Sequence, residues 1–513
     1  MHKLASTSAV GVIGAGTMGL GIVALALRAG HPVYLHDTRS SALLDAREAV
    51  NASLQRWVKR DELTEAQRNA CLARLHLTEQ LGALAGCALV VEAIVENLTI
   101  KRELFTALEA LVDASAILAS NTSSISITAI AATLKHPQRV VGMHFFNPAT
   151  VLPLVEVVKG EATAEGVAEQ ISALASAWGK SPVLCRSTPG FIVNRVARPF
   201  YAEALLALQE GVAAPAVVDA ALRDAGGFRM GPLELMDLIG HDTNFAVTRS
   251  VYDAFFQDPR YRPSLIQQAL VDAGWLGRKS GRGFYRYSEP ADNREATCEA
   301  PCPAPVTLRR YGDFSSAETL QQLAETQGLE IEARPGDGYL LIDGVQLRPS
   351  LGRTATDIAT EAGIDALVLF DTSVDLHHAP LVILAKADTC GRESLNRVIG
   401  FFQALGKRVA LIDDTPGLLV TRTLCMLANE AAEAVNHGIA SAADVDQAMR
   451  KGVNYPVGPL AWADRFGSHN VVRVLDNLAR AYPDGRYRPS TLLRRKASTR
   501  SAWIDQRSEP HHD

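Results

Sequence analysis

Two groups of residues in this chain have types and spacings suited to chemistry. The first is Gly14-Ala15-Gly16-Thr17-Met18-Gly19, a G-x-G-x-x-G, with Asp37 lying 18 residues after Gly19. Gly14 permits a tight turn, Gly16 lets a pyrophosphate approach the backbone, and Gly19 lets a helix pack closely on a strand. A carboxylate at Asp37 can accept hydrogen bonds from ribose hydroxyls and would repel a 2′-phosphate. NAD is therefore expected over NADP, with Arg39 close enough to weaken the discrimination. The second group is His144 and Glu156. An imidazole exchanges protons near neutral pH, and a carboxylate within reach fixes its tautomer and stabilises the imidazolium. Beside a hydride acceptor, such a pair suits oxidation of a secondary alcohol. Taken alone, it would read equally well as a core histidine bonded to a stray acid.

The elements that must position these groups follow an α/β order. Ala9–Ile13 is a short apolar strand, the glycine turn follows, an Ala/Leu-rich helix runs to Gly30, and Val33–His36 forms a second strand ending at Asp37. A dinucleotide fingerprint needs this context, because the pyrophosphate sits at the helix N-terminus. Further strands are expected at 88–95, 116–120, 139–145 and 154–158. His144 thus ends a strand, at the edge where such sheets bind ligands. The polar helical stretch between Thr38 and Leu75 has turns near Asp61 and Thr64 and exceeds an ordinary connection. It is expected to project as a helical hairpin.

After a strand and turn over 179–190, strand signals stop. One long helix over 191–210, then helices over 215–225 and 243–256, make an all-helical module closing near Gly281–Tyr285. Residues 288–306 (SEPADNREATCEAPCPAPV) are rich in Pro, Ala and Glu without periodicity and read as an interdomain linker. Cys298 and Cys302 stand there at C-x3-C spacing, but zinc needs two more ligands of suitable spacing. No metal is expected.

The second half repeats the first. A shift of 227 positions brings Pro153-Leu154-Val155 onto Pro380-Leu381-Val382, and Lys180 onto Lys407. It also brings Thr188-Pro189-Gly190 onto Thr415-Pro416-Gly417, and Gly231-Pro232-Leu233 onto Gly458-Pro459-Leu460. The second copy is shortened at its front and lacks a G-x-G-x-x-G, so it should not bind a dinucleotide. Strands are expected there at 339–342 and 366–370. Under the same shift His144 meets Asp371, Glu156 meets Ile383 and Asn194 meets Thr421. Scaffold residues persist in both copies while these polar ones change, which favours a chemical role for His144, Glu156 and Asn194.

The composition excludes several classes. The chain has 513 residues, 47% hydrophobic and 21% charged, so it is not a disordered chain. Lys and Arg total 51 against 56 Asp and Glu, a net charge of −5 that gives no reason to expect nucleic acid as a partner. No apolar run approaches the ~18 residues of a membrane span, so no membrane partner is expected. Neither the N-terminal MHKLASTSAV nor the mixed-charge tail carries an address signal. Seven cysteines in this length do not make a disulfide scaffold, and a cytoplasmic protein is expected.

The strings VGVIGAGTMG, VVEAIVENLTIK, ASNTSSISI, GMHFFNPATVLPLVEVV, TPGFIVNR, GGFRMGPLELMDLIG and GRKSGRGFY resemble the L-3-hydroxyacyl-CoA dehydrogenases over the first 285 residues. The resemblance implies NAD as cofactor, His144 as base with Glu156 as partner, and Ser123 and Asn194 on the substrate's 3-oxygen and thioester. It implies cofactor contacts from Glu96, Lys101, Asn121 and Lys279. It also implies a coenzyme A grip on the hairpin by Ser53 and Arg60, with Lys59 a close competitor. The full length resembles the subgroup with a duplicated C-terminal domain, which acts on 3-hydroxyadipyl-CoA in phenylacetate breakdown or on 3-hydroxybutyryl-CoA.

The expected domains are a Rossmann domain with the hairpin (1–187), a helical domain (188–287), the linker (288–306), a reduced Rossmann-like domain (307–413), a degenerate second helical domain (414–498) and a frayed tail (499–513). The second helical domain is expected to pack on the first as an intramolecular pseudo-dimer, with further homo-oligomers open. Arg195, Arg198 and Arg229 could meet a terminal carboxylate on the substrate or serve as structural ion-pair partners. Two alternatives compete with this reading. A 6-phosphogluconate or 3-hydroxyisobutyrate dehydrogenase would use a lysine as acid/base, against which His144 with Glu156 speaks. A non-catalytic NAD-binding protein on the same fold would not need these polar residues.

Overall fold

The computed structural model describes residues 5, 7–288 and 294–504. Part of the expected linker (289–293) and most of the expected tail (505–513) lie outside the described residues. The chain divides into two compact units, one of residues 1–195 with 437–453 and the other of 196–436 with 454–513.

The first unit is built on eight strands: β1 (Val10–Ile13), β2 (Val33–His36), β3 (Leu75–Thr78), β4 (Leu89–Glu92), β5 (Ile117–Ser120), β6 (Val140–Phe145), β7 (Leu154–Lys159) and β8 (Ser181–Arg186). Their order is β3-β2-β1-β4-β5-β6-β7-β8, parallel throughout except where β6 runs against β7. Strand order reverses between β1 and β4, and a crevice opens at the carboxyl ends of strands beside such a switch. Every residue of β1, β4, β5 and β6 is buried, because helices cover both faces of a central parallel strand. β3 was not foreseen: Leu-His-Leu-Thr has only two apolar residues, enough for the single covered face of an edge strand.

The expected hairpin is present as helices Ser40–Val58 and Glu65–Ala73. Leu43, Ala46, Val50, Leu54 and Trp57 form a buried stripe at helical spacing. The turn uses Asp61 at φ 58, and Thr64 with Gln67 closes a capping box on the second helix.

The one long helix expected over 191–210 is instead two, Val193–Val196 and Arg198–Gln209. Pro199, which has no N–H to donate, sits in the first turn of the second piece, where none is needed. Helices Pro215–Ala220, Pro232–Ile239 and His241–Ala254 follow, the first continued by a π-turn over Ala221–Ala225.

The second unit also holds a mixed seven-stranded sheet: β9 (Leu308–Tyr311), β10 (Glu332–Arg334), β11 (Tyr339–Ile342), β12 (Val345–Pro349), β13 (Leu367–Phe370), β14 (Leu381–Lys386) and β15 (Arg408–Leu411). The described part of the 288–306 stretch has no regular structure, yet it is docked. Gln403 bonds the Cys302 N–H and the Glu299 and Ala300 carbonyls, and a Cβ on Gly400 would stand 1.9 Å from the Pro303 carbonyl oxygen. The described part of the linker is thus a Pro-rich strap that packs on helix Arg392–Ala404, where Gly400 leaves it room.

The repeat is visible in the packing. Helix Ala442–Val453 of the second copy lies on β7 and β8, with Gln447 Nε2 donating to the Pro182 carbonyl and the Arg186 N–H to Ile439. Segment 437–453 is thus part of the first compact unit. In the second unit the corresponding turn, Ala221–Ala225, packs on β14, and Ser373 Oγ donates to the Ala225 carbonyl at 2.6 Å.

Two buried carboxylates in this unit are bridged reciprocally. Glu203 of the first copy accepts from Arg486 (2.7 Å) and Tyr487 (2.7 Å) of the second. Glu430 of the second, the repeat partner of Glu203, accepts from Arg260 (3.4 Å) and Tyr261 (2.5 Å) of the first. Outside these, Arg262 pairs with Asp484 and Arg488 with Asp258.

Candidate active site

β6 and β7 run antiparallel with His144 directly opposite Glu156. His144 Nδ1 lies 2.7 Å from Glu156 Oε2, with the imidazole 6% exposed and the carboxylate fully buried. The other oxygen of Glu156 accepts the N–H groups of Ile192 (3.0 Å) and Val193 (2.9 Å), at the start of helix Val193–Val196. A helix N-terminus stabilises the negative charge, so the same carboxylate anchors the helix and faces the ring. Phe146 and Phe191 flank the imidazole at 4.5 and 5.8 Å between ring centres. Asn194, one residue into that helix, donates from Nδ2 to the Ser123 carbonyl at 3.4 Å.

Ser123 is held by Glu96. Its N–H donates to Glu96 Oε1 at 3.0 Å, and Thr122 Oγ1 donates to the same oxygen at 2.5 Å. Burial works against charge on Glu96, but the Thr122 hydroxyl, the Lys101 ammonium and the Ser123 N–H outweigh it and hold the carboxyl below its ordinary pKa. Asn121 Oδ1 accepts the Phe145 N–H at 2.9 Å, tying the ends of β5 and β6 together beside His144. Lys101 is 1% exposed, and its Nζ bonds Glu92 (2.5 Å) and Glu96 (3.3 Å). Its ammonium thereby links the buried Glu92 to Glu96, the carboxylate that holds Ser123. Glu92 escaped the sequence reading. A fully buried acid inside the apolar run LVVE was the signal, and it also bonds Ser120 and the Ile94 N–H.

The glycine loop meets the requirements of a dinucleotide. Gly14 has φ +106, and a Cβ there would lie 2.4 Å from the Ala93 carbonyl oxygen. A Cβ on Gly19 would lie 1.8 Å from the Gly14 carbonyl oxygen, whereas one on Gly16 would meet nothing within 4 Å. Helix Thr17–Arg28 begins there with no side-chain cap and no acid in its first turn, leaving its N–H groups for an anion. Asp37 Oδ2 accepts the Ala15 N–H at 2.8 Å, and Oδ1 accepts the Arg39 N–H at 2.9 Å. Burial pushes against its charge, but Arg39 and these N–H groups hold the carboxyl low. The residues present fit NAD.

Other expected site residues are more dispersed. Ser53 is on the first hairpin helix, and its Oγ accepts from Arg56 at 2.9 Å rather than from Arg60 or Lys59, both exposed just beyond the helix. Lys279 is in the second unit on the turn Arg278–Ser280, paired with Asp242. Of the arginines, Arg195 is buried with Nη2 3.5 Å from His437 Nδ1, Arg229 is exposed, and Arg198 is buried. Among the described residues, no group of three or more His, Cys, Asp or Glu could hold a metal, and no helix is long and apolar enough to cross a membrane.

Comparison with known proteins decides the family. The sequence model of the 3-hydroxyacyl-CoA dehydrogenase NAD binding domain matches residues 9–188, and that of the C-terminal domain matches twice, at 190–287 and 417–502. A third, the 3-hydroxybutyryl-CoA dehydrogenase reduced Rossmann-fold domain, matches 347–416. The chain is 46% identical to the 3-hydroxyadipyl-CoA dehydrogenase of Escherichia coli K12, over 96% of this chain and 98% of that one.

This chain belongs to the 3-hydroxyacyl-CoA dehydrogenase family.

It is therefore an NAD-dependent oxidoreductase acting on CH–OH, with an acyl-CoA substrate. A crystal structure of an E. coli 3-hydroxybutyryl-CoA dehydrogenase matches it at TM-score 0.88 and 45% identity, over 96% of this chain and 98% of that one. A probable 3-hydroxybutyryl-CoA dehydrogenase of Deinococcus radiodurans is 43% identical over 54% of this chain and 99% of its own length. Single-unit relatives of this kind align with the dehydrogenase half, and the double match of the C-terminal domain agrees with the repeat read from the sequence.

Proposed function

We propose that this dehydrogenase oxidises (S)-3-hydroxyadipyl-CoA to 3-oxoadipyl-CoA, with His144 as general base. The observation that carries the base is the 2.7 Å contact between His144 Nδ1 and Glu156 Oε2. With Nδ1 engaged, Nε2 is the nitrogen left to take the hydroxyl proton, and the carboxylate stabilises the imidazolium that results. NAD, when bound, supplies the hydride acceptor. Gly14, Gly16, Gly19 and Asp37 would hold its pyrophosphate and ribose. Glu96, Lys101 and Asn121 would shape the nicotinamide end. Ser123 and Asn194 would orient the 3-oxygen and thioester. Ser53 with Arg60 or Lys59 would grip coenzyme A.

The acyl preference rests on the relative of full length that is named for 3-hydroxyadipyl-CoA. 3-Hydroxybutyryl-CoA is the second reading, favoured by the full-length structural match of that description. Comparing kcat/KM for the two thioesters decides between them, and failure of either to yield NADH from folded enzyme would overturn the reading. We read the two helical copies as an intramolecular pseudo-dimer, supported by the reciprocal Glu203 and Glu430 bridges. Seven unpaired thiols, five of them buried, support a cytoplasmic setting.

A further inference from the structure

We propose that a cavity beside Arg198 in the second unit is a binding site for a small carboxylate with an apolar tail. Arg198 is 5% exposed, yet no carboxylate pairs with it among the described residues. Its Nη1 donates to Thr248 Oγ1 at 3.0 Å, its guanidinium lies over the Tyr201 ring, and its Nε has no partner. Burial pulls its pKa down, and only the Tyr201 and Tyr455 hydroxyls, not a carboxylate, oppose this. A buried cation without a counter-ion is costly, so the structural ion-pair role open to it from sequence is not what it performs.

The fold does not require an arginine here. Under the repeat shift, Arg198 meets Cys425 and Thr248 meets Leu475, both fully buried in the second copy. The corresponding helices, Val420–Asn436 and Ser468–Ala481, thus pack there with apolar side chains at both positions. In the first copy Arg198 and Thr248 instead border a cavity of about 160 Å³. An apolar cavity of roughly this size admits a molecule as large as benzene.

The other charges at the cavity are already matched. Arg262 pairs with Asp484, and Arg486 with Glu203, so the lining carries one uncompensated positive charge. A guanidinium receives a carboxylate in plane, with Thr248 as a second polar contact. Leu205, Leu206 and Pro263 offer the rest of the space to an apolar tail. The wall comes from both copies, since Tyr482, Asp484 and Arg486 belong to the second. A ligand here would therefore bridge the two helical repeats.

The test is calorimetric titration of the full-length protein with sodium butyrate, with sodium phosphate and sodium chloride as controls. Butyrate should bind saturably, at one site per chain, and raise the melting temperature. Arg198→Met should weaken butyrate binding at least ~10-fold, and Thr248→Val should weaken it less. Circular dichroism and NAD binding check that each variant is folded, and the threonine variant keeps the test open if Arg198→Met does not fold. Absence of saturable butyrate binding would overturn the proposal. So would butyrate affinity that survives both substitutions, or phosphate or chloride binding as tightly as butyrate.

Discussion

Asp371 takes up in the second copy the helix-anchoring work that Glu156 does in the first, from the opposite strand. The Asp371 carboxylate accepts the N–H groups of Leu419, Val420 and Thr421 at 2.7–2.8 Å. Leu419 and Val420 are the repeat partners of Ile192 and Val193, whose N–H groups bond Glu156. Yet Asp371 aligns with His144, and Glu156 with Ile383, the residue whose carbonyl accepts the Asp371 N–H at 2.9 Å. Both copies need a buried carboxylate at this helix start. What the second copy lost is the imidazole. The change of Glu156 to Ile383 therefore does not by itself mark Glu156 as chemical, whereas the loss of His144 does.

That division predicts how substitutions separate. His144→Ala should lower kcat by about 10²–10⁴-fold with NAD affinity unchanged, because only a proton acceptor is removed. Glu156→Gln should keep an oxygen for the Ile192 and Val193 N–H groups and so stay folded, while kcat drops because the imidazolium loses its counter-charge. Glu156→Ala should also lower stability, by about 1–3 kcal/mol for each buried N–H left without an acceptor. Steady-state NADH production beside urea unfolding checks all three. A Glu156→Ala variant as stable as the parent would refute the anchoring role.

The glycines make a sharper prediction about the cofactor. A Cβ at Gly16 would meet nothing within 4 Å, so Gly16→Ala should fold normally. It should raise the dissociation constant for NAD by about 10-fold or more, because the added methyl occupies the pyrophosphate's approach. A Cβ at Gly19 would lie 1.8 Å from a backbone oxygen, so Gly19→Ala should cost stability instead. Calorimetry with NAD should find one site per chain. Equal NAD affinity in the parent and Gly16→Ala would sink the assignment of the loop.

Much of this was legible in the sequence, for identifiable reasons. The glycine spacing and the strand end at Asp37 are local patterns, and β1, β4 and β6 announce themselves as apolar runs. The contact between His144 and Glu156 was readable only as a possibility, since the antiparallel turn that sets them opposite is tertiary. Glu92 and Lys101 were obscured because their pairing depends on a register between a strand and the following helix. The docking of the strap over 294–306 was not legible, because Pro-rich composition reports the absence of periodic structure, not of packing. The placement of helix Ala442–Val453 on β7 and β8 could not be read at all, because a repeat does not say which copy's sheet a helix will cover.

The reciprocal bridges predict a cost for breaking either one. Glu203 is 2% exposed and receives Arg486 and Tyr487, with Arg422 at 3.3 Å. Truncating one partner of a buried ionic cluster leaves the remaining charges uncompensated, at about 3–5 kcal/mol. Glu203→Ala and Glu430→Ala should each lower the unfolding midpoint strongly. A chain ended at residue 287 would keep Arg260 and Tyr261 but lose Glu430 and the second helical copy. It should be insoluble or newly dimeric by light scattering. A well-behaved, fully active monomer of that length would overturn the pseudo-dimer.

The paired lysines Lys180 and Lys407 give a pH signature. Lys180 is 9% exposed, and its Nζ donates to the Ala149 and Leu152 carbonyls in the loop after β6. Burial, with the Arg28 charge adding to it, lowers its pKa from 10.5 to about 8. Lys407 donates to the His377 carbonyl at 2.7 Å and is lowered by burial as well. Below about pH 8, Lys180 is protonated folded and unfolded, so its desolvation cost is constant. Between about 8 and 10.5 the unfolded chain binds a proton that the folded one does not, and linkage then makes stability rise with pH. Lys180→Met removes this contribution. The unfolding free energy of the parent minus that of Lys180→Met, measured by urea titration at intervals across that range, should therefore increase with pH. A difference that stays flat or falls would mean that the folded-state ammonium keeps its proton through this range, held by the two carbonyls despite its burial.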